Sequence, residues 1–309
     1  MADKEHTAAV IGGGTMGADI AAVFIAGGWF VHIVDLSGNV RKNFPARLST
    51  TLAKLGNHKA KGSFFLHSTI GELPWDDVEI VVEAVSEDLH LKQQIFGELV
   101  TLSQPHIPLT SNSSGFPISQ IGKGLTTQNR MMGLHFFMPA HLVPLVEVIS
   151  SEFTDSSIAQ DVVGIMKDLE KRPVQVKKDI PGFLANRIKH ALMREALYLV
   201  EQGIASPEDV DVAVRYGFGF RYIAAGPLLQ KDLSGLDIQY SAAKIIYPDL
   251  CNATEPSLCL RKKVEKGHVG IKTGRGFYRW TKKKIDAVKL RYEKMLQAAI
   301  GILKSERQE

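Results

Sequence analysis

Short, uninterrupted apolar runs alternate along the chain with longer segments whose apolar positions recur at helical spacing. Ala8 to Ile11 is the first such run and ends at Gly12. A helical stretch, Ala18 to Ala26, stops at Gly27–Gly28, and a second apolar run, Phe30 to Val34, ends at Asp35. Short apolar runs closed by turn residues predict buried strands, so this opening reads as strand, glycine turn, helix, strand, one βαβ unit. Further strand candidates are Val78–Val85, Ile107–Ser111, Met131–Phe137 and Leu145–Ile149, with a helical pattern over Leu89–Leu102. The economical α/β architecture is a doubly wound parallel sheet.

The pattern changes after Lys178. Pro181–Gly182 opens a segment in which Phe183, Ile188, Leu192, Ala196 and Leu199 fall at helical spacing. Gly203 reads as its stop, and Ser206–Pro207 as the cap and first turn of the next helix, with Asp209 at a capping position. No further strand series follows. The division expected is residues 1–180 as a sheet domain and 181–309 as an all-helical domain.

Gly12-Gly13-Gly14-Thr15-Met16-Gly17 fits G-x-G-x-x-G, a weak signal that its context strengthens. It follows a strand, opens a helix, and has Asp35 ending the next strand. Gly12, Gly14 and Gly17 allow the tight turn, and the helix start at Thr15 and Met16 offers unpaired N–H groups to a pyrophosphate. A carboxylate at Asp35 accepts bonds from an adenosine ribose and repels a 2′-phosphate, and Leu36 beside it is not basic. The expectation is a Rossmann domain binding NAD rather than NADP; by motif alone FAD stays open.

Charge changes this picture little. Lys and Arg number 37 against 33 Asp and Glu, an excess of +4 that points to neither nucleic acid nor an anionic membrane. The excess is local, since Arg261 to Lys294 carries thirteen basic and three acidic residues. Cys251 and Cys259 form no metal-ligand spacing, so no metal site is expected, and a reducing compartment is the simpler reading. With a polar N-terminus, no secretory signal and no long apolar span, a cytoplasmic product is expected.

His135 sits in an apolar run at a strand end, and Glu147 in another run twelve residues on. Alone, each reads as a satisfied core residue. Together they fit a dyad in which the carboxylate orients an imidazole base and favours its protonated form.

At these residues the chain resembles the 3-hydroxyacyl-CoA dehydrogenase family. The resemblance runs from the glycine turn and Asp35 through Val82-Glu83-Ala84, Glu87, Lys92 and Ser111-Asn112-Ser113-Ser114. It continues through His135-Phe136-Phe137, Glu147 and Pro181-Gly182-Phe183 to Asn186-Arg187, and ends at Lys272-Thr273-Gly274 with Gly276-Phe277-Tyr278. It implies His135 as catalytic base with Glu147 as its partner, and Ser114 and Asn186 as donors at the reacting carbon. It also implies Glu87, Lys92 and Lys272 along the NAD site and a helical domain that forms a homodimer.

Three departures bear on substrate. The stretch between Asp35 and Glu87 is short and passes through the loop-like run Gly56–Gly62, where relatives acting on CoA carry a long helical hairpin. Met138 replaces the usual Asn of the His-Phe-Phe-Asn-Pro motif. The run Gly217-Phe218-Gly219-Phe220-Arg221-Tyr222 delays the Gly226–Pro227 pair and adds an arginine. An Arg-Tyr pair here is similar to the branch with lambda-crystallin and gulonate dehydrogenase, whose substrates are small free acids. Arg221 then reads either as a substrate-carboxylate clamp, each charge-assisted bond contributing ~1.5–3 kcal/mol, or as a surface arginine paired with a neighbouring acid.

A carboxylate-bearing alcohol or hydrated aldehyde is therefore expected as the substrate. The resemblance favours 5-formyl-3-hydroxy-2-methylpyridine-4-carboxylate, an intermediate of vitamin B6 degradation, oxidised without a thiol nucleophile. Two alternatives stand beside this expectation: a 3-hydroxyacyl-CoA dehydrogenase with a reduced lid, and an NAD-binding, crystallin-like protein without catalysis.

Overall fold

A computed structural model describes residues 5–55 and 62–305 as two compact units that divide between Arg187 and Ile188. The first contains strands β1 (Thr7–Ile11), β2 (Phe30–Val34), β3 (Phe64–His67), β4 (Ile80–Glu83), β5 (Leu109–Ser111), β6 (Met131–Phe136), β7 (Leu145–Ser150) and β8 (Arg172–Val176). They form one sheet in the order β3-β2-β1-β4-β5-β6-β7-β8. Chain order reverses between β1 and β4, and the open side of such a reversal, at the carboxyl ends of the strands, is where α/β sheets bind ligands.

Helices cover both faces: α1 (Thr15–Ala26), α2 (Gly38–Lys54), α3 (Leu89–Leu102), α4 (Ile118–Ile121) and α5 (Ser156–Asp168). Successive residues of β1 point to opposite faces. Ala8 and Val10 join one buried cluster with Phe24 of α1, Phe44 of α2 and Met166 of α5. Ala9 and Ile11 join the other, with Phe96 and Leu99 of α3. A strand buried on both faces reads as an unbroken apolar run, which is why these strands stand out in the sequence.

The sheet departs from the expected all-parallel form in one place, since β6 and β7 pair antiparallel. Only residues 137–144 connect them, too few for the crossover that a parallel pair needs. The consequence is functional. The antiparallel register sets His135 directly opposite Glu147.

Five elements of the first unit escaped the sequence reading: β3, β8, α2, α4 and α5. Helix α2 is polar, holds Pro45 inside, and buries only Phe44, Leu48 and Thr51, too narrow a stripe to stand out. The loop-like run Gly56–Gly62, except for its last residue, lies outside the described residues. β3 and β8 are edge strands, and β8 carries Pro173, which an edge tolerates.

Helix α6 (Ala185–Glu201) leads into the second unit, followed by α7 (Pro207–Val212), α8 (Pro227–Ser234), α9 (Leu236–Ile246), α10 (Leu258–Glu265) and α11 (Lys282–Ser305). Gly203 follows α6 with φ of 69°. Ser206 caps α7 by accepting the Asp209 N–H, and its hydroxyl donates to the Asp209 carboxylate. No described residue beyond Phe183 is buried in the single chain. No helix among the described residues is long and apolar enough to cross a membrane.

Candidate active site

The glycine turn closes at the carboxyl end of β1. Gly12 has φ of 105°, and a Cβ there would lie 2.8 Å from the Ala84 carbonyl oxygen. At Gly17 a Cβ would lie 1.8 Å from the Gly12 oxygen, so α1 packs against the turn only because both positions lack side chains. Gly14 caps α1, and nothing lies within 4 Å of where its Cβ would stand. The first N–H groups of α1, at Thr15 and Met16, have no acceptor within the helix, and no acidic residue occupies that first turn. An open, side-chain-free cradle at a helix start fits the pyrophosphate of a dinucleotide.

Asp35 follows β2 and frames this turn. Its Oδ2 accepts the Gly13 N–H at 2.8 Å and its Oδ1 accepts the Ser37 N–H at 2.9 Å. Folding also brings up two arginines that sequence adjacency did not show. Arg41 donates to the Asp35 carbonyl, and Arg47 to the Gly13 carbonyl at 3.3 Å.

At the ends of β6 and β7, His135 Nδ1 and Glu147 Oε2 are 2.7 Å apart, both groups buried. An ionised carboxylate only accepts, so Nδ1 carries the hydrogen and Nε2 is left as the proton acceptor. Nε2 lies 3.2 Å from Ser114 Oγ. The other oxygen of Glu147 accepts the N–H groups of Leu184 at 3.1 Å and Ala185 at 2.7 Å. These donors lie at the start of α6, delivered by Gly182 at φ 75° and Phe183 at φ 50°. The Phe183 ring centre is 5.7 Å from that of His135, and Phe137 packs at 4.4 Å. Burial opposes ionisation of Glu147, but the bonds from His135, Ala185 and Leu184 outweigh it and hold the carboxyl below its ordinary range.

Ser114 is held from a second direction. Glu87 Oε1 accepts the Ser113 hydroxyl at 2.6 Å and the N–H groups of Ser114 and Gly115 at 3.1 and 3.0 Å. Burial opposes ionisation of Glu87 too, yet these bonds and nearby Lys92 depress its pKa. Asn186 Nδ2 reaches the Ser114 carbonyl at 3.5 Å, the outer limit of a hydrogen bond. Asn112 Oδ1 accepts the Phe136 N–H at 2.8 Å, bracing the strand end beside His135, and Met138 beyond it is largely exposed.

The first unit thus gathers His135, Glu147, Ser114, Asn186 and Glu87, while Lys92 is buried behind Glu87. The two remaining sequence candidates belong to the second unit. Lys272 is exposed in a tight turn between Gly270 and Gly274, both with positive φ. Arg221 is exposed, its guanidinium 5.8 Å from the Phe220 ring centre, and no acid among the described residues pairs with it. Sequence reasoning assigned no role to Glu83, Ser113, Phe183 or the Leu184 and Ala185 N–H groups. Glu83 alone carried a readable signal, an acid inside an apolar strand, the same that marked Glu147.

Residues 7–180 match the family model described as 3-hydroxyacyl-CoA dehydrogenase, NAD binding domain, and residues 182–280 match that of its C-terminal domain. The 5-formyl-3-hydroxy-2-methylpyridine 4-carboxylate 5-dehydrogenase of Mesorhizobium japonicum is 32% identical over 301 residues, covering 96% of this chain and 97% of that one. A crystal structure of such a dehydrogenase, described as an NAD+-dependent dismutase, superposes with a TM-score of 0.90 at 31% identity, covering 97% of this chain and 99% of the other. The 3-hydroxybutyryl-CoA dehydrogenase of Escherichia coli K12 gives 0.72 at 31% identity, covering 89% of this chain and 60% of its own.

Proposed function

The chain belongs to the 3-hydroxyacyl-CoA dehydrogenase family of NAD-dependent oxidoreductases, and from that premise we propose that it oxidises a small carboxylate-bearing hydrated aldehyde or alcohol. The leading substrate is 5-formyl-3-hydroxy-2-methylpyridine 4-carboxylate. The observation that carries this choice is the near-complete structural likeness to a dehydrogenase of that aldehyde, closer than the likeness to the acyl-CoA enzyme.

Gly12, Gly14 and Gly17 with the Thr15 and Met16 N–H groups would cradle the pyrophosphate, and Asp35 would take the adenosine ribose. When bound, NAD supplies a nicotinamide ring that accepts a hydride. Nε2 of His135 takes the proton of the substrate hydroxyl as the carbon–hydrogen bond breaks with its electron pair. For a hydrated aldehyde the product is the acid; water has already supplied the second oxygen, so no covalent enzyme intermediate is needed. The imidazolium formed is stabilised by Glu147, whose second oxygen is already held and cannot swing away. Ser114 and Asn186 serve as donors to the substrate oxygen. Arg221 engages the substrate carboxylate, a role supported by its exposed guanidinium and by its having no acidic partner among the described residues. Glu87 and Lys272 belong to the cofactor side, with Lys92 supporting Glu87.

The second unit is proposed to pair with a second copy of this chain. As a single chain it buries no residue, and Leu228, Leu233 and Ile245 are each more than three-quarters exposed. A unit of this size without a core is not stable alone, and an apolar surface of this extent marks an interface.

Product analysis after incubation with the pyridine aldehyde and NAD tests the proposal. The acid is expected, with NADH accumulating, or with an equal yield of alcohol if the NADH is consumed by a second aldehyde. Reduction of acetoacetyl-CoA at a higher kcat/KM than any aldehyde would transfer the assignment to the acyl-CoA reaction. NADH binding without turnover of either would leave an inactive nucleotide-binding protein.

A further inference from the structure

A buried ion pair at the end of β4 is used by neither the dyad nor the nucleotide turn. Glu83 is fully buried in a strand otherwise made of Ile80, Val81 and Val82, and Lys92 of α3 is buried against it. Lys92 Nζ donates to Glu83 Oε1 at 2.8 Å and Oε2 at 3.0 Å. Oε1 also accepts the Val85 N–H at 2.7 Å, and Oε2 the Ser111 hydroxyl at 2.6 Å. Buried pairs of this kind contribute little net stability, because desolvation offsets their attraction. What this one provides is a fixed geometry that leads outward.

Two routes run from Glu83 to Ser114. In the first, Ser111 Oγ, having donated to Glu83, accepts the Ser113 N–H at 3.2 Å. In the second, Lys92 Nζ stands 3.5 Å from Glu87 Oε2, and Glu87 Oε1 holds Ser113 Oγ and the N–H groups of Ser114 and Gly115. Both converge on the turn that sets the Ser114 hydroxyl against His135 Nε2. Glu83 also adjoins the nucleotide turn, since the next residue, Ala84, supplies the carbonyl that excludes a side chain from Gly12.

We infer that Glu83 is a positioning residue which, through Lys92 and Ser111, holds the Ser113–Gly115 turn so that Ser114 meets His135. It touches no reacting atom, and its effect on turnover rests on the reading of Ser114 as a donor to the substrate oxygen.

The test follows the imidazole proton resonances of His135 by NMR in the full-length protein, which needs no substrate. Ser114→Ala is expected to shift them, Glu83→Gln to reproduce that shift, and the double variant to add nothing further. Ser111→Ala cuts one route while keeping the ion pair, and is expected to give the same shift at smaller amplitude even if Glu83→Gln does not fold. Wild-type resonances in Ser111→Ala and in any folded Glu83→Gln overturn the inference. In turnover of the pyridine aldehyde with saturating NAD, Glu83→Gln is expected to lower kcat about 10- to 100-fold, and to cost nothing more in a Ser114→Ala background. An equal loss in both backgrounds overturns positioning and leaves a general structural role. If Ser114→Ala alone leaves both kcat and the resonances unchanged, the reading of Ser114 fails, and the positioning role fails with it.

Discussion

The two units handle charged groups in opposite ways. In the first, Glu147, His135, Glu83 and Lys92 are all buried, and each has partners within the unit. In the second, Arg221 and Lys272 are exposed, and no residue between Ile188 and Ser305 is buried. The contrast matches the work proposed for each group. A base that must accept a proton along one direction is fixed before substrate arrives, so its burial and partners are internal. A group that recognises an incoming charge, or a surface that awaits a second copy, stays open until its partner is present.

The sharpest break of this contrast is His135→Gln. We expect kcat to fall by about 10²–10⁴-fold while NADH affinity, read by fluorescence titration, stays nearly constant. A smaller effect is expected at the exposed end. Arg221→Met should raise KM for a carboxylate substrate about 10- to 100-fold with a lesser change in kcat, and an unchanged KM would return Arg221 to the solvent-facing surface. Leu228→Asp with Leu233→Asp should lower the mass seen by sedimentation from two copies to one and lower Tm, because charge placed in an apolar interface cannot be desolvated cheaply. The mildest effect concerns pH. The pKa of Glu147 is depressed in the folded state, so its stabilisation is complete above the ordinary carboxylate value near 4.5 and fades as pH falls through the lowered one. The Tm gap between wild type and Glu147→Gln should therefore narrow on acidification; a gap that is constant with pH would deny the carboxylate that role.

Much of the first unit was legible because its signals are local. An apolar run before Gly12 and an acid after Val34 need no knowledge of the rest of the chain. Helix Leu89–Leu102 reads from its own periodicity, and the structure starts and ends it at the same residues. Most of the elements missed lack such signals: α2 buries three residues of seventeen, and β3 and β8 sit at edges where one side is unpaired, whereas α5 carries a helical stripe, Ala159, Val162, Val163 and Met166, that went unread. The dyad was legible only as two residues of the right types. Their facing each other depends on the antiparallel pairing of β6 with β7, which the short connection between the two strand candidates implies, and on its register, which a strand pattern does not encode. The N–H groups on Glu147 were unreadable for a different reason, since backbone donors carry no letter of their own.

Phe183 gives this last point a practical edge. A phenylalanine at φ 50° occupies backbone territory that glycine or asparagine would fill at lower cost. Selection for thermostability alone would replace it, and a consensus or computational redesign scored on folding would do the same. The aromatic ring beside the imidazole would then be lost in exchange for a tougher protein. Engineering this enzyme for robustness should leave position 183 untouched and seek its gains elsewhere.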